Sequence, residues 1–415
     1  MRHCRTGAPC EVDDMWLIRA HVIDVEQERI LTDTALEVKD GRITAVEPEA
    51  GRVSPRVGSA EGEEVLDLAG AYLAPGIISC HTHLSIVFPF SASDEHEHPG
   101  KTALRAARRA GDALRAGVTT VRTCHENHRI DIALRDMIAG GWAEGPRIVA
   151  AGRGVDSTGG HGAGQGCAVA DGAAEFLKAA RAELAAGANH VKIFLSGGIA
   201  QQHEEFGHTQ VSPEEIAAAV YAAESHGTYV TAHAGDSGPI NAGLDGGVRC
   251  YEHGYRVDDS TAARLAASDA WLVPTLTVSR AAPWMRRQGF EEWTIAKALD
   301  AADEHMESTR RAVRAGVNIA NGTDAPPGDL SAGAPMAICE AENLVEAGLT
   351  PAEALRASTL DAARLCNIHQ LTGRVEADLA ADLIAIRENP LEDIRALRSI
   401  FMVMSGGRII RNDHS

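Results

Sequence analysis

Two histidines one residue apart, His81 and His83, end an apolar run, Ile77-Ile-Ser-Cys80, with Thr82 between them. Strand side chains alternate faces, so residues i and i+2 point the same way. On a strand, His81 and His83 project together from its C-terminal end and form half of a metal site. A lone His-x-His is equally a pair of ordinary strand-end histidines, so the other chemistry-bearing residues decide. A lysine interrupts the apolar stretch His190-Val-Lys192-Ile-Phe194, and a buried ammonium is costly unless paired or neutralised. His233 follows Tyr229-Val-Thr-Ala232, His253 follows Cys250-Tyr-Glu252, and Asp324 ends Ala320-Asn-Gly-Thr-Asp324. Each has a bland explanation: a strand-end histidine is commonly hydrogen-bonded, Asp324 can cap a helix, and Lys192 can snorkel or find a carboxylate. What joins the six is position, since every one falls at the end of a β-like run.

The elements that would hold them are legible. From residue 71 onward, short apolar strands alternate with Ala-rich helices, the mark of a parallel α/β fold. Strand ends are expected at Ile77–Cys80, Thr119–Arg122, Arg147–Ala150, His190–Leu195, Tyr229–Ala232, Cys250–Glu252, Trp271–Leu276 and Asn318–Ala320. Eight such units predict a (β/α)₈ TIM barrel, in which reacting residues sit at the C-terminal ends of strands. Ser212-Pro-Glu-Glu215 and Thr350-Pro-Ala-Glu353 read as capping boxes with proline at the first helical position. A helical connection before the last strand is expected over Trp284–Ala315, and a further helix over Ala352–Cys366. Before residue 71 and after 375 the pattern is strand-rich and alternating. It includes an Asp40-Gly41 hairpin signal and apolar runs at Ala381–Ile386, Ile400–Met404 and Ile409–Ile410. The two ends are therefore expected to pair into one discontinuous β-sandwich domain, from 1–71 and 375–415, around a barrel over 72–374.

Composition narrows the function. The chain has 415 residues, 45% of them hydrophobic, and a formal charge of −19. That charge disfavours a nucleic-acid backbone or an anionic membrane as partner. No run approaches the roughly 20 apolar residues of a membrane span, and Met1 to Asp14 lacks a signal-peptide stretch. The eight cysteines are scattered with no Cys-x-x-Cys pair, which excludes a zinc ribbon or a disulfide scaffold. A cytoplasmic homo-oligomer acting on a small-molecule substrate is expected.

The chain resembles the amidohydrolase superfamily, in particular its binuclear-metal, imidazolonepropionase-like members, which include the metal-dependent prolidases (Xaa-Pro dipeptidases). The resemblance rests on Ala74-Pro-Gly-Ile-Ile78, Gly117-Val-Thr-Thr-Val-Arg122, Gly145-Pro-Arg147, Gly159-Gly-His-Gly162 and Val191-Lys-Ile193 with Ser196-Gly-Gly198. It continues through Glu252-His-Gly254, Gly322-Thr-Asp324 and Ala381-Asp-Leu-Ile384. It implies that His81, His83 and Asp324 hold a buried metal, that His233 and His253 hold a second, and that Lys192, carrying CO₂ as a carbamate, bridges them. Two divalent ions, zinc by default, would then share a hydroxide that attacks an amide or peptide bond of a dipeptide or N-acyl amino acid, with Asp324 as general base and then acid. His161 and His125 are implied as substrate contacts. At His125 many relatives carry an aspartate with glycines, and Gly235 stands where prolidase-like relatives place a larger side chain, so a wider pocket is expected there. Phe88–Pro99, with His96 and His98, reads as a mobile entrance loop.

The alternative is a mononuclear aminohydrolase, a deaminase or an imidazolonepropionase-type cyclic-amide hydrolase. His233-Ala-Gly-Asp236 resembles the His-Ala-Gly-Glu of adenosine deaminases, but those enzymes have no place for Lys192 as a bridge. A non-enzymatic scaffold is disfavoured because all six metal positions are present.

Overall fold

The computed structural model describes residues 14–48 and 64–413; Cys4, Cys10, the polar N-terminus and part of the expected 1–71 segment lie outside them. The fold is α/β with parallel sheets. Ile77–Thr82, Val118–Thr123 and Arg147–Val149 form one three-stranded parallel sheet. A seven-stranded parallel sheet runs in the order Ala168–Val169, Val155–Asp156, Val191–Phe194, Val230–Asp236, Cys250–Arg256, Trp271–Val273 and Asn318–Ile319. Backbone hydrogen bonds link the two sheets on both sides. Cys80 N–H donates to the Asn321 carbonyl and Asn189 N–H to that of Ala150, each at 2.7 Å. All eight expected strand ends fall on these strands or within two residues of their ends, apart from the overlong seventh.

The helices between them behave as their caps require. Ser212 and Thr350 each accept from the backbone N–H three residues on, and Glu215 and Glu353 return the bond, so both capping boxes form. Two expectations need correction and a third gains detail. The seventh strand stops at Val273, because Pro274 has no N–H to give and Thr275 turns into the left-handed region at φ 53°; Leu276–Arg280 is helical instead. The connection over Trp284–Ala315 is two helices, Ala282–Gln288 and Glu292–Ala315, divided at Gly289 with φ 83°. The helix over Ala352–Cys366 is likewise two, Pro351–Ala357 and Leu360–Leu365, broken where Thr359 leaves helical geometry.

The chain ends meet in one mixed sheet. Its order is Arg408–Asn412, Ile400–Ser405, Leu383–Ile386, Tyr72–Pro75, Met15–Asp24, Arg29–Lys39 and Arg42–Pro48, with Glu64–Asp67 also pairing to Met15–Asp24. The two-residue turn Asp40-Gly41 has both φ values positive, 48° and 77°, as a type I′ hairpin demands. Tyr72–Pro75 runs through Gly76 directly into the His81 strand, so the mixed sheet anchors the first candidate ligands. Among the described residues no helix is long and apolar enough to cross a membrane.

Candidate metal and active site

The site is built at the C-terminal ends of the parallel strands. His81 closes the first strand, and the backbone after Asn318–Ile319 docks onto it: Thr323 and Asp324 N–H both donate to the His81 carbonyl, at 2.8 and 3.0 Å. That docking sets the Asp324 carboxylate against both histidines. Its Oδ1 lies 3.0 Å from His81 Nε2 and 3.1 Å from His83 Nε2. His253 Nδ1 is 4.0 Å from Asp324 Oδ2, and ligand atoms of His81, His253 and Asp324 all fall within 4.8 Å of one another. His253 and Asp324 adopt φ of 73° and 53°, left-handed values that side chains other than glycine rarely take. The backbone is thus strained at the two points where side chains must turn inward.

The far sides of the rings are held by other groups. His81 Nδ1–H donates to Glu252 Oε2 at 2.6 Å, and His83 Nδ1–H donates to the His125 carbonyl at 2.9 Å. Both bonds fix the ring orientations and leave Nε2 facing Asp324, the placement usual where histidine binds metal. Glu252 is fully buried and is also bound by Arg122, at 2.6 Å, and by the Thr231 hydroxyl. Burial opposes its charge, but Arg122 and His81 hold its pKa well below the usual carboxylate range. Asp324 behaves alike: burial works against the anion, and His81 and His253 hold its pKa down. Burial also works against a charged His81, yet Cys124, Glu252 and Asp324 together raise its pKa well above the usual value.

The other half of the site lies on adjacent strands, where Phe194 pairs with His233 and Ala234 with His253. The His233 and His253 rings are 4.5 Å apart. Lys192 is only 1% exposed, lines the same pocket as His81, His83, His233, His253 and Asp324, and makes no ion pair among the described residues. Its Nζ stands 5.2 Å from the centre of the Phe194 ring. All six residues singled out as metal ligands therefore come to one pocket.

The two expected substrate contacts also line it, but differently. His161 stacks on His233 with ring centres 4.2 Å apart, and its Nδ1 is bound by Glu204 at 2.5 Å, so Nε2 is left for the pocket. His125 has both nitrogens engaged by backbone: Nε2–H donates to the Gln165 carbonyl at 2.9 Å and Nδ1 accepts from Gly154 N–H at 3.1 Å. Burial lowers its pKa to about 3, and it offers the pocket a neutral ring face. Gly235 does not widen the pocket. A Cβ there would lie 2.9 Å from Phe206 Cβ, so Phe206 already fills that space. The 88–99 segment does reach the site, through Phe88 and Phe90.

Four residues escaped the reading of the sequence: Glu252, Arg122, Glu204 and His305. Glu252 and Arg122 carried the signal used for Lys192, a charge inside an apolar strand. Glu204 and His305 carried none, because a loop glutamate and a helical histidine look ordinary until the fold brings their partners.

A family model described as "Amidohydrolase family" matches residues 72–410. The chain belongs to the amidohydrolase family. It is a hydrolase acting on C–N bonds. Among relatives of this amidohydrolase, the ochratoxinase of Aspergillus niger is 28% identical over 92% of this chain and 83% of its own length. The crystal structure of that enzyme superposes with a TM-score of 0.83 at 26% identity, covering 97% of each chain. A prolidase complexed with N-methylphosphonate-L-proline gives a TM-score of 0.87 at 28% identity, over 96% of this chain and 100% of that one. The imidazolonepropionase of Maricaulis maris is 27% identical over 88% of this chain and 90% of its own length.

The donor set suits what this family generally uses, metal ions. Imidazole nitrogen with carboxylate oxygen is a set for zinc and similar divalent cations. The Nε2 atoms of His81 and His83, with their opposite nitrogens pinned, converge on Asp324 Oδ1.

Proposed function

We propose that this amidohydrolase cleaves the amide bond of a dipeptide or N-acyl amino acid type substrate at a centre of two divalent ions, zinc by default. His81, His83 and Asp324 would hold one ion, His233 and His253 the other, and Lys192 as a carbamate would bridge them. The observation that carries this reading is Lys192. An ammonium buried among histidines, with no ion pair among the described residues, is unfavourable, whereas a carbamate supplies two oxygens and a negative charge to cations. The bound ions supply Lewis acidity, activating water near neutral pH and polarising the scissile carbonyl. Asp324, aligned by His81 and His83, takes the proton from the attacking water and passes it to the leaving nitrogen. His161, turned by Glu204, presents Nε2 to the substrate carbonyl. His125 serves as an uncharged wall.

The same reading takes the two linked parallel sheets as one (β/α)₈ barrel over about 72–374. The shared sheet of both chain ends then belongs to a β-sandwich-like domain of 1–71 and 375–415. Eight of the ten parallel strands, all but Val155–Asp156 and Ala168–Val169, would make the barrel, and the hydrogen bonds at both seams support it.

The test is a library of dipeptides and N-acyl amino acids offered to metal-replete protein, with metal content measured in parallel. About two equivalents and turnover of library members are expected. A second reading, a mononuclear aminohydrolase, draws on the compact His81, His253 and Asp324 set. A reproducible single equivalent with release of ammonia from an amino-substituted ring would select it.

A further inference from the structure

The pocket beyond the histidines has a composition unlike the rest of the chain. Aromatic residues are only 4% of the sequence, yet four of its seven phenylalanines line this one pocket. Phe88, Phe90, Trp284 and Phe290 form a connected wall, with ring centres 5.2 Å apart for Phe88–Trp284 and 5.3 Å for Phe88–Phe90. Phe290 joins them at 5.9, 5.8 and 5.7 Å from Phe88, Phe90 and Trp284. These are the spacings of offset-stacked and edge-to-face pairs. The wall is held from behind. Trp284 Nε1–H donates to Asp329 at 3.0 Å. The Arg109 guanidinium lies over Phe88 at 5.3 Å while binding the Leu84 and Ile86 carbonyls. Tyr255 lines the same pocket beside the chemistry, its ring parallel to that of His253 at 5.3 Å.

Charge is absent from this end. Apart from Lys192 and Asp324, no Asp, Glu, Lys or Arg among the described residues lines the pocket. A carboxylate or ammonium pressed against the wall would lose its water and find no partner. A saturated group would be buried but would forgo the edge and face contacts of the rings.

We propose that the wall of Phe88, Phe90, Trp284 and Phe290 is an aromatic subsite, and that one side of the scissile amide carries an uncharged aromatic ring system. The proposal rests on the amide-hydrolase reading for its chemistry, but the subsite is tested by binding alone. Metal-loaded Asp324→Asn protein is titrated calorimetrically with 2-naphthamide, decahydro-2-naphthamide and 6-carboxy-2-naphthamide, and the unaltered protein is assayed for hydrolysis of N-(2-naphthoyl)glycine, an N-acyl amino acid carrying the same ring.

The naphthamide is expected to bind about tenfold more tightly than either analogue. Phe90→Ala, at a half-buried position, and Trp284→Ala are each expected to erase most of that preference at unchanged metal content. Should Trp284→Ala fail to fold, Phe90→Ala decides. Equal affinity for the saturated analogue, tighter binding of the carboxylated one, or a preference untouched by Phe90→Ala overturns the subsite. Selective binding of 2-naphthamide without hydrolysis of N-(2-naphthoyl)glycine leaves the subsite standing and counts against the amide reading.

Discussion

Asp324 Oδ1 is shared by two imidazoles, and in the proposed mechanism its charge would serve both alignment and proton transfer. Asp324→Asn keeps the shape and removes the proton acceptor. Turnover on an identified substrate is expected to fall by at least about a hundredfold, read by steady-state kinetics alongside metal content; near-normal turnover with full metal would contradict the assigned role. Lys192→Ala is expected to lose most metal and activity, with partial return in acetate or formate, which can take the bridging position. The unaltered protein should gain active yield when loaded in bicarbonate, and a bare ammonium turned from the metals in a fully metallated crystal structure would defeat the bridge. Glu252 acts one step back. Glu252→Gln removes the anion from His81 Nδ1 and from buried Arg122. Metal affinity is expected to drop roughly 10–100-fold, and breaking the buried pair should cost about 3–5 kcal/mol. A metal titration and a thermal melt check the two effects separately.

At the scale of elements, the long helix Glu292–Ala315 steadies the strand ends from outside. Its His305 is fully buried; Nε2–H donates to the Pro274 carbonyl at 2.8 Å and the His253 carbonyl at 3.2 Å, and Nδ1 meets the Ser279 hydroxyl at 2.9 Å. His305→Leu is expected to destabilise by about 1–3 kcal/mol, since it orphans buried partners, and to weaken metal retention through His253. Differential scanning fluorimetry with and without added metal is the check, and an unchanged melting point would refute it.

The same element shows what could be read in advance. Strand ends, capping boxes and the Asp40-Gly41 turn were legible because each is written in residues close together. His81, His83, Lys192 and Asp324 stood out as polar residues where apolar runs end. The support behind them was not legible in that way. His81 and Glu252 are 171 positions apart and Arg122 and Glu252 are 130 apart; periodicity tells which face a side chain takes, not which distant partner meets it. Helix breaks were missed for a local reason. Thr359 has no glycine or proline beside it to announce the turn, while Gly289 was outweighed by the helical pattern on both sides.

For the whole molecule, the order of synthesis matters. Tyr72–Pro75, which feeds straight into the His81 strand, is flanked on one side by Met15–Asp24 and on the other by Leu383–Ile386. The first flank exists early; the second is complete only when residue 386 of 415 has been made. At ~5–20 residues per second, His83 waits roughly a quarter of a minute to a minute for that strand. A chain ending at residue 380 is expected to retain less than a tenth of the full-length protein's metal and to be recovered mainly as aggregate; soluble, metal-loaded product from such a truncation would show that the outer flank is dispensable. Metal capture is then expected to follow the synthesis of residue 386, and until that point the nascent chain carries the outer edge of Tyr72–Pro75 unpaired, a target for chaperones.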